Sequence, residues 1–291
     1  AQDEFVEYIE ETPEAQRQFY EVLKEGQPQQ MFADLDGDGL TITKVKLLKQ
    51  WTTLMKQVFK DVGLTYNNRL VRLLQSSGDK ISYHWSYQHC FKNSEEQKLF
   101  WKYVEYIIEK DYSDLCFLRK RTDDKLELMN VLDVSVYSKN RALRTYHSTK
   151  AGSDRVLCPV KLRNDIIKPI INFEPLEYLV YAQDDIPSDP LKIPPHSCVV
   201  NKLLMQHDIV KIINDNVPNT VLSEICGRIF KLKNSGNRIC IIGGEENTTD
   251  NSYVVWRRDG LYFGCHDAKC EGHTKQICKF AGKVEKTQTT W

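Results

Sequence analysis

Met31-Phe-Ala-Asp-Leu-Asp-Gly-Asp-Gly39 sets two carboxylates, Asp34 and Asp36, at alternate positions at the end of an apolar run. In a strand, side chains two apart project from one face. Two carboxylates on such a face, with a third from a neighbouring strand, make a hard-oxygen site able to hold two divalent cations. The candidate third is Asp133, in Val131-Leu-Asp-Val-Ser-Val-Tyr-Ser-Lys-Asn-Arg-Ala-Leu-Arg144. Between the two places stands Lys80-Ile-Ser-Tyr-His84. Cations bridging a triphosphate are what nucleotidyl transfer needs, and the Lys, Ser, His and Arg side chains are of the kind that hold the triphosphate itself.

The bulk composition narrows the class without deciding it. The chain has 291 residues, 41% hydrophobic and 27% charged, and its 40 basic and 40 acidic residues cancel. That length suits one large domain, or one with a small companion. Zero net charge does not exclude nucleic acid, because a local basic patch suffices while carboxylates gather in a site. No apolar run approaches the roughly 20 residues that span a bilayer, and no secretory signal opens the chain. A soluble, intracellular protein without a membrane partner is expected. The chain begins at Ala1 rather than Met, which reads as a start cut from something longer, or processed. Its nine cysteines are an odd number, and five of them (Cys226, Cys240, Cys265, Cys270, Cys278) fall in the last quarter. A disulfide framework would be even in number and spread through a small secreted domain, so the clustering favours metal binding in a reducing compartment.

Periodicity gives a mixed α/β (α+β) pattern. Phe19–Leu23 and Gln30–Asp36 read as strands joined by a turn around Gly26-Gln-Pro28. Leu48, Trp51, Leu54, Met55, Val58, Phe59 and Val62 recur at helical spacing, with Gly63 where a C-cap would stand. Arg69–Leu74 and Lys80–Tyr87 form a second strand pair around Ser76-Ser-Gly-Asp79. Ser94 with Gln97 signals a capping box for a helix through Phe100, Val104, Ile107 and Ile108. Val131–Val136 and Ala142–Tyr146 read as further strands. The Pro-rich stretch 184–195 reads as a loop near a boundary, and Lys202–Ile213 as a helix. Tyr253–Arg258 and Leu261–Gly264 flank Asp259-Gly260, a strong type I′ hairpin signal.

Each motif has a plainer reading. Asp34-Leu-Asp-Gly-Asp-Gly39 begins like a calcium-binding loop, but the bidentate Glu such a loop needs at its twelfth position is Val45. Asp38 is expected only to serve the turn. Lys80, Ser82 and His84 share a strand face, as residues of an ordinary exposed polar face also would. Arg141, Arg144 and Lys150 fit phosphates or a solvated basic turn, and Lys139 and Asn140 fit template contact or a shaped turn. The clustered cysteines are metal ligands or buried apolar residues.

Together these motifs resemble the archaeo-eukaryotic primase superfamily, most closely its primase-polymerase branch of eukaryotes and large DNA viruses. The family's paired acids, S-x-H strand and later single Asp correspond to Asp34/Asp36, Ser82/His84 and Asp133. Lys80 stands two before Ser82 as in the branch, and the branch's basic residues fall on Arg141, Arg144 and Lys150. Tyr20-Glu-Val-Leu resembles the strand before the acidic pair, whose Tyr lies near the incoming sugar. The likeness runs from about Tyr20 to Lys150. The branch also carries basic template contacts in a longer N-terminal region, most of which precedes this chain's start, and its nearest eukaryotic members have Asp-Glu where this chain has Asp-Asp.

The resemblance implies the primase fold: two α/β layers, one like an RNA-recognition motif, with the active site in the cleft between them. It implies a catalytic domain over residues 1–200 and a C-terminal zinc-binding module over 201–291. Asp34, Asp36 and Asp133 would bind Mg²⁺ or Mn²⁺. Lys80, Ser82, His84, Arg141, Arg144 and Lys150 would hold the nucleotide, beside Tyr20. In the tail, Cys240, Cys265 and Cys270 match three ligands of a Cys-His-Cys-Cys zinc motif. Its His position falls at or near Asn247, so His273 or Cys278 is expected as the fourth ligand, or else the site is degraded. Implied partners are single-stranded DNA template, NTP or dNTP, and a replicative helicase or single-strand-binding protein. The implied function is a DNA-directed primase-polymerase. A catalytically degenerate primase fold that binds nucleic acid or a replication partner is the alternative, with a calcium-binding interaction protein behind it.

Overall fold

A computed structural model describes residues 2–37, 40–120, 125–180, 187–199, 203–247, 250–257, 259–270, 272–280 and 284–287. Asp38, the boundary expected at residue 200, residues 184–186 and Arg258 lie outside the described residues. Along the chain come α1 (Gln2–Glu11), β1 (Tyr20–Leu23), β2 (Gln29–Asp36), α2 (Lys44–Asp61), β3 (Val71–Ser76), β4 (Ser82–Phe91), α3 (Ser94–Asp111), β5 (Cys116–Lys120), β6 (Lys125–Asn130), β7 (Arg141–Arg144), β8 (Leu157–Arg163) and β9 (Ile166–Pro169). Then follow β10 (His196–Val199), β11 (Leu203–Met205), α4 (Gln206–Asn216), β12 (Thr220–Cys226), β13 (Ile229–Asn234), β14 (Arg238–Ile239), β15 (Glu246–Asn247), β16 (Ser252–Arg257), β17 (Gly260–Cys265), β18 (Thr274–Lys279) and β19 (Val284–Thr287). All pairings among these strands are antiparallel, so the mixed class is α+β. No described helix is long and apolar enough to cross a membrane.

Two compact units emerge, Ala1–Asp38, Ile42–Ile107 and Val131–Pro194 in the first, Gly39–Thr41, Ile108–Asn130 and Pro195–Trp291 in the second. The first is built on the sheet β2-β4-β3-β8-β9. Alternation in β4 buries Tyr83, Trp85 and Tyr87. Helix α2 carries its apolar residues at helical spacing and buries Trp51, Leu54, Met55, Val58 and Phe59. The Thr43 hydroxyl caps its start by accepting from the Lys46 amide. Trp51 meets Trp85 edge-on at 6.0 Å and stacks on Trp101 of α3 at 6.1 Å, so aromatic packing ties both helices to the sheet. As expected, α2 ends at Gly63, which has φ +82°, and Leu64 donates back to the Phe59 carbonyl.

Several local expectations shift. β1 and β2 both form, yet β1 pairs with β7, with Tyr20 opposite Arg144 and Leu23 opposite Arg141, while β2 pairs with β4. Val131–Val136 is not a strand. The strand is β6, ending at Asn130, and Val134–Val136 is a 3₁₀ turn capped by Asp133, whose Oδ1 accepts from the Ser135 amide at 2.9 Å. The α3 cap lies one residue upstream of Ser94: Asn93 Oδ1 accepts from the Glu96 amide and Glu96 Oε2 from the Lys92 amide. Gln97 is thereby free for another task. Its fully buried side chain accepts from the Phe32 amide on the outer edge of β2 and from Trp101 Nε1, and donates to Gln29. Gln97→Leu leaves those buried donors without a partner, at about 1–3 kcal/mol each. Denaturant unfolding should therefore show a loss of about 2–6 kcal/mol, against little change for Ser94→Ala; equal small losses would refute the assignment.

The second unit is built on the sheet β12-β13-β16-β17-β18, which buries Phe230, Leu232, Val254, Trp256, Leu261 and Phe263. Its central hairpin appears where expected but one residue off: Arg257 pairs with Gly260, which places Gly260 in the strand rather than the turn. The same unit holds the sheet β11-β6-β5 and the pairs β14-β15 and β10-β19.

Candidate active site and candidate metal centre

The first site is assembled entirely within the first unit, around the edge strand β2. On its inner side β2 pairs with β4 so that Asp34 lies opposite His84 and Asp36 opposite Ser82. Residues directly opposite in a ladder share a face, so these four side chains project together. On its outer side the segment after β6 takes up the free edge: Asp36 N donates to Val131 O, Asp133 N donates to Asp34 O at 2.9 Å, and Leu35 bridges Leu132. That edge pairing brings Asp133 beside Asp34 despite the separation in sequence. Tyr137 fastens the same edge, its hydroxyl donating to Phe32 O at 2.7 Å. The sequence reading missed Tyr137, although its place four residues after Asp133 was a possible signal.

Asp34 feels the crowding most. Burial, then the Asp133 charge, then the Asp36 charge push its pKa up to about 7, and Arg144 and Arg141 pull against them. His84 moves the other way. Burial and the Arg144 guanidinium lower it to about 3, with the Arg144 carbonyl opposing, so the ring is neutral at physiological pH. Its Nε2 stands 4.0 Å from Asp34 Oδ1. Lys80, just ahead of β4, pairs with Asp36 Oδ2 at 2.9 Å. Arg144 is half-buried beside Tyr20, donates to the Arg155 carbonyl at 3.0 Å, and is brought by β7 within electrostatic reach of Asp34.

Other expected residues stand apart. Lys150 is exposed in the loop beyond β7, and its ammonium makes no contact with the acidic group. Lys139 pairs with Glu25, and Asn140 Oδ1 accepts from the Glu25 amide, so both shape the turn before β7. The three carboxylates do not close on one point. Among the described residues, the groups of three or more His, Cys, Asp or Glu whose ligand atoms all lie within 4.8 Å of one another are limited to Cys240, Cys265 and Cys270. Repulsion among like charges gives a physical reason, with Asp36 drawn to Lys80 and Asp133 tied to its own turn.

The cysteine group belongs to the second unit. All three thiols are buried, and Cys240 Sγ lies 3.5 Å from Cys270 Sγ. Burial opposes a thiolate at Cys240, but the Gly243 and Ile242 amides, with the Cys270 and Cys265 thiols, outweigh it and hold that thiol below its ordinary value. Cys270 is pushed up to about 11 by burial and then by Cys240. A buried trio of thiols with amides aimed at one sulfur is a donor set for a soft or borderline metal ion, and it fits Zn²⁺. Neither expected fourth ligand belongs to the group. His273 is exposed, Cys278 lies in β18 facing the Lys279 carbonyl, and the Asn247 side chain lies outside the described residues. Asn251, which sequence reasoning passed over, accepts from the Cys265 thiol at 3.6 Å.

No protein-family model matches the chain. The chain is similar to the uncharacterized protein ORF49 of Ostreid herpesvirus 1 (isolate France), 27% identical over an alignment of 175 residues, with 53% of this chain and 15% of that protein covered. The match thus spans well under a fifth of that viral protein's length.

Proposed function

We propose that the chain is a DNA-directed nucleotidyltransferase of the primase-polymerase kind, acting in DNA replication by making and extending primers on single-stranded DNA. The observation that carries this reading is the clustering around β2: Asp34 and Asp36 on the strand, His84 and Ser82 opposite, Asp133 at the outer edge, and the Arg141 and Arg144 charges acting on Asp34. Acids and bases gathered this way suit a polyanion that arrives with its own cations.

Asp34, Asp36 and Asp133 are the residues that would hold Mg²⁺ or Mn²⁺, whose chemistry is to lower the pKa of an attacking 3′-hydroxyl and to neutralise the departing pyrophosphate. The raised pKa of Asp34 fits that role, since three crowded carboxylates gain most from added positive charge. Lys80, paired with Asp36, would turn its ammonium to a phosphate once Asp36 is otherwise neutralised. Arg144 and Arg141 match phosphate oxygens bidentately. His84, being neutral, acts as a hydrogen-bonding orienter rather than a charge. Tyr20, opposite Arg144 in the β1–β7 pair, would pack beside the sugar. The cysteine group would hold a structural Zn²⁺, and in this reading its unit serves the 5′ nucleotide of the nascent primer.

Primer extension and unprimed synthesis on single-stranded DNA, with NTP or dNTP and Mn²⁺ or Mg²⁺, test the reading. Wild type should incorporate nucleotide. Arg144→Ala should raise the nucleotide KM by roughly tenfold or more, the scale of one lost charge-assisted phosphate contact. Asp133→Ala at near wild-type rate would sink the metal assignment. A wild type that incorporates nothing, yet binds nucleic acid, would leave a non-catalytic binding module in its place.

A further inference from the structure

The second unit carries a sheet face for which the nucleotidyl-transfer reading has no use. We propose that this face binds single-stranded nucleic acid, with bases stacking on Tyr253 and phosphates meeting the cations around it.

The sheet β12-β13-β16-β17-β18 packs its core residues on one side, and alternation sends Lys231 and Lys233 of β13, and Tyr253 and Arg257 of β16, to the other. The register sets Lys231 directly opposite Tyr253. These residues border a groove of about 680 Å³. The setting of Tyr253 is specific. Its partner across β16–β17 is Gly264, where an added Cβ would stand 2.3 Å from the tyrosine ring. The ring therefore lies down over the glycine instead of standing off the sheet. His266 leans against it, centroids 4.8 Å apart at 33°. A second aromatic, Tyr262, lies 4.5 Å beneath the Arg257 guanidinium. A half-exposed ring braced from below and from the side offers a fixed platform, and base stacking on such platforms is indifferent to sequence.

Charge selects the occupant. Four cations (Arg228, Lys231, Lys233, Arg257) and two carboxylates line the groove. Glu224 is paired with Lys231, and Asp250 accepts from the Asn234 amide. The excess is positive, on a chain whose charges cancel overall. An apolar peptide would have no use for the lysines, and an acidic peptide would have none for the tyrosine. A single strand, with phosphates and bases alternating along its length, uses both. The binding face does not depend on nucleotidyl transfer; only calling the bound strand a template rests on that reading.

Fluorescence anisotropy of labelled oligothymidine and oligouridine with the full chain tests the proposal, the two strands separating DNA from RNA. Tyr253→Ala should weaken binding roughly five- to a hundredfold, and Tyr253→Phe should restore it. Lys231→Gln with Lys233→Gln should flatten the salt dependence by about 0.7 in log–log slope per lost contact. Thermal melts identify any variant that has unfolded. Unchanged affinity in Tyr253→Ala and in the double lysine variant overturns the proposal, as does polyglutamate competing as well as oligothymidine. Binding that needs Tyr253 in a protein that incorporates no nucleotide keeps this face and removes the catalytic reading; incorporation together with binding indifferent to Tyr253 and the lysines does the reverse.

Discussion

Asp34→Asn should stabilise the metal-free protein while lowering nucleotide incorporation roughly a hundredfold to a thousandfold, the scale of losing one preorganised electrostatic group. The two effects share one cause. Burial, Asp133 and Asp36 raise Asp34 from 3.8 to about 7. Between those values the folded protein keeps a proton that the unfolded chain releases, so stability falls as pH rises through that window and is level above it. Three units correspond to about 4 kcal/mol as an upper bound. The side chain keeps 24% of its exposure, and solvent screening reduces the figure to about 1–2 kcal/mol. Asn removes the charge and keeps the shape, so the metal-free midpoint should rise by about 3–6 °C in a unit of this size. Divalent binding must displace the same proton, so calorimetry should show Mn²⁺ affinity climbing up to about tenfold per pH unit below pH 7 and levelling above it. A destabilised Asp34→Asn, or an affinity flat across that window, would show that the carboxylates do not crowd one another.

What the sequence disclosed about this site is what local periodicity encodes. The alternation of Asp34 and Asp36, and of Ser82 and His84, reflects one strand period, and both pairs appear on facing strands. The helix before Gly63 was legible because its apolar stripe and its cap agree. The route by which Asp133 arrives was not. Val131, Leu132 and Val136 are buried, and that burial imitates strand alternation. Yet 131–133 only closes the free edge of β2, and the Asp133 carboxylate turns the chain immediately afterwards. The β1–β7 pairing that lays Arg141 and Arg144 near the acids joins segments about 120 residues apart, beyond any local signal. Ser94 and Gln97 misled because Asn93 and Glu96 form the same capping pattern one residue earlier, while Gln97 was needed inside. The fourth ligand, His273 or Cys278, was expected only from the resemblance to a Cys-His-Cys-Cys motif, and no local signal reveals that β18 carries Cys278 away from the other thiols.

Cys265→Ser should abolish metal binding by the second unit, whereas Cys278→Ser should leave it intact. Both cysteines lie in the same sheet and both are free thiols, so a difference between them isolates the group and not cysteine content. Cys265 closes β17, Cys240 follows the two-residue strand β14, and Cys270 stands in the connection to β18. Besides the thiols, the Lys269–Glu245 ion pair, the Lys275 ammonium on the Ile241 carbonyl and Arg238 over the Phe263 ring join these segments, while β14 and β15 pair through only two residues each. A structural Zn²⁺ is worth about 10–16 kcal/mol of apparent binding free energy near neutral pH. Even a fraction of that exceeds what so short a ladder supplies, so the Cys265→Ser unit should lose its cooperative melt, with mass spectrometry showing the ion lost. Acidification should release the ion from wild type too, because the ligands must be thiolates and Cys270 left without metal holds its proton up to about pH 11. The 3.5 Å approach of Cys240 and Cys270 would also suit an oxidised pair. Thiol titration separates the two: three thiols appearing only after chelation mark a metal centre, whereas a metal-free protein with two thiols missing until reduction would put a redox pair there and leave the zinc reading without its ligands.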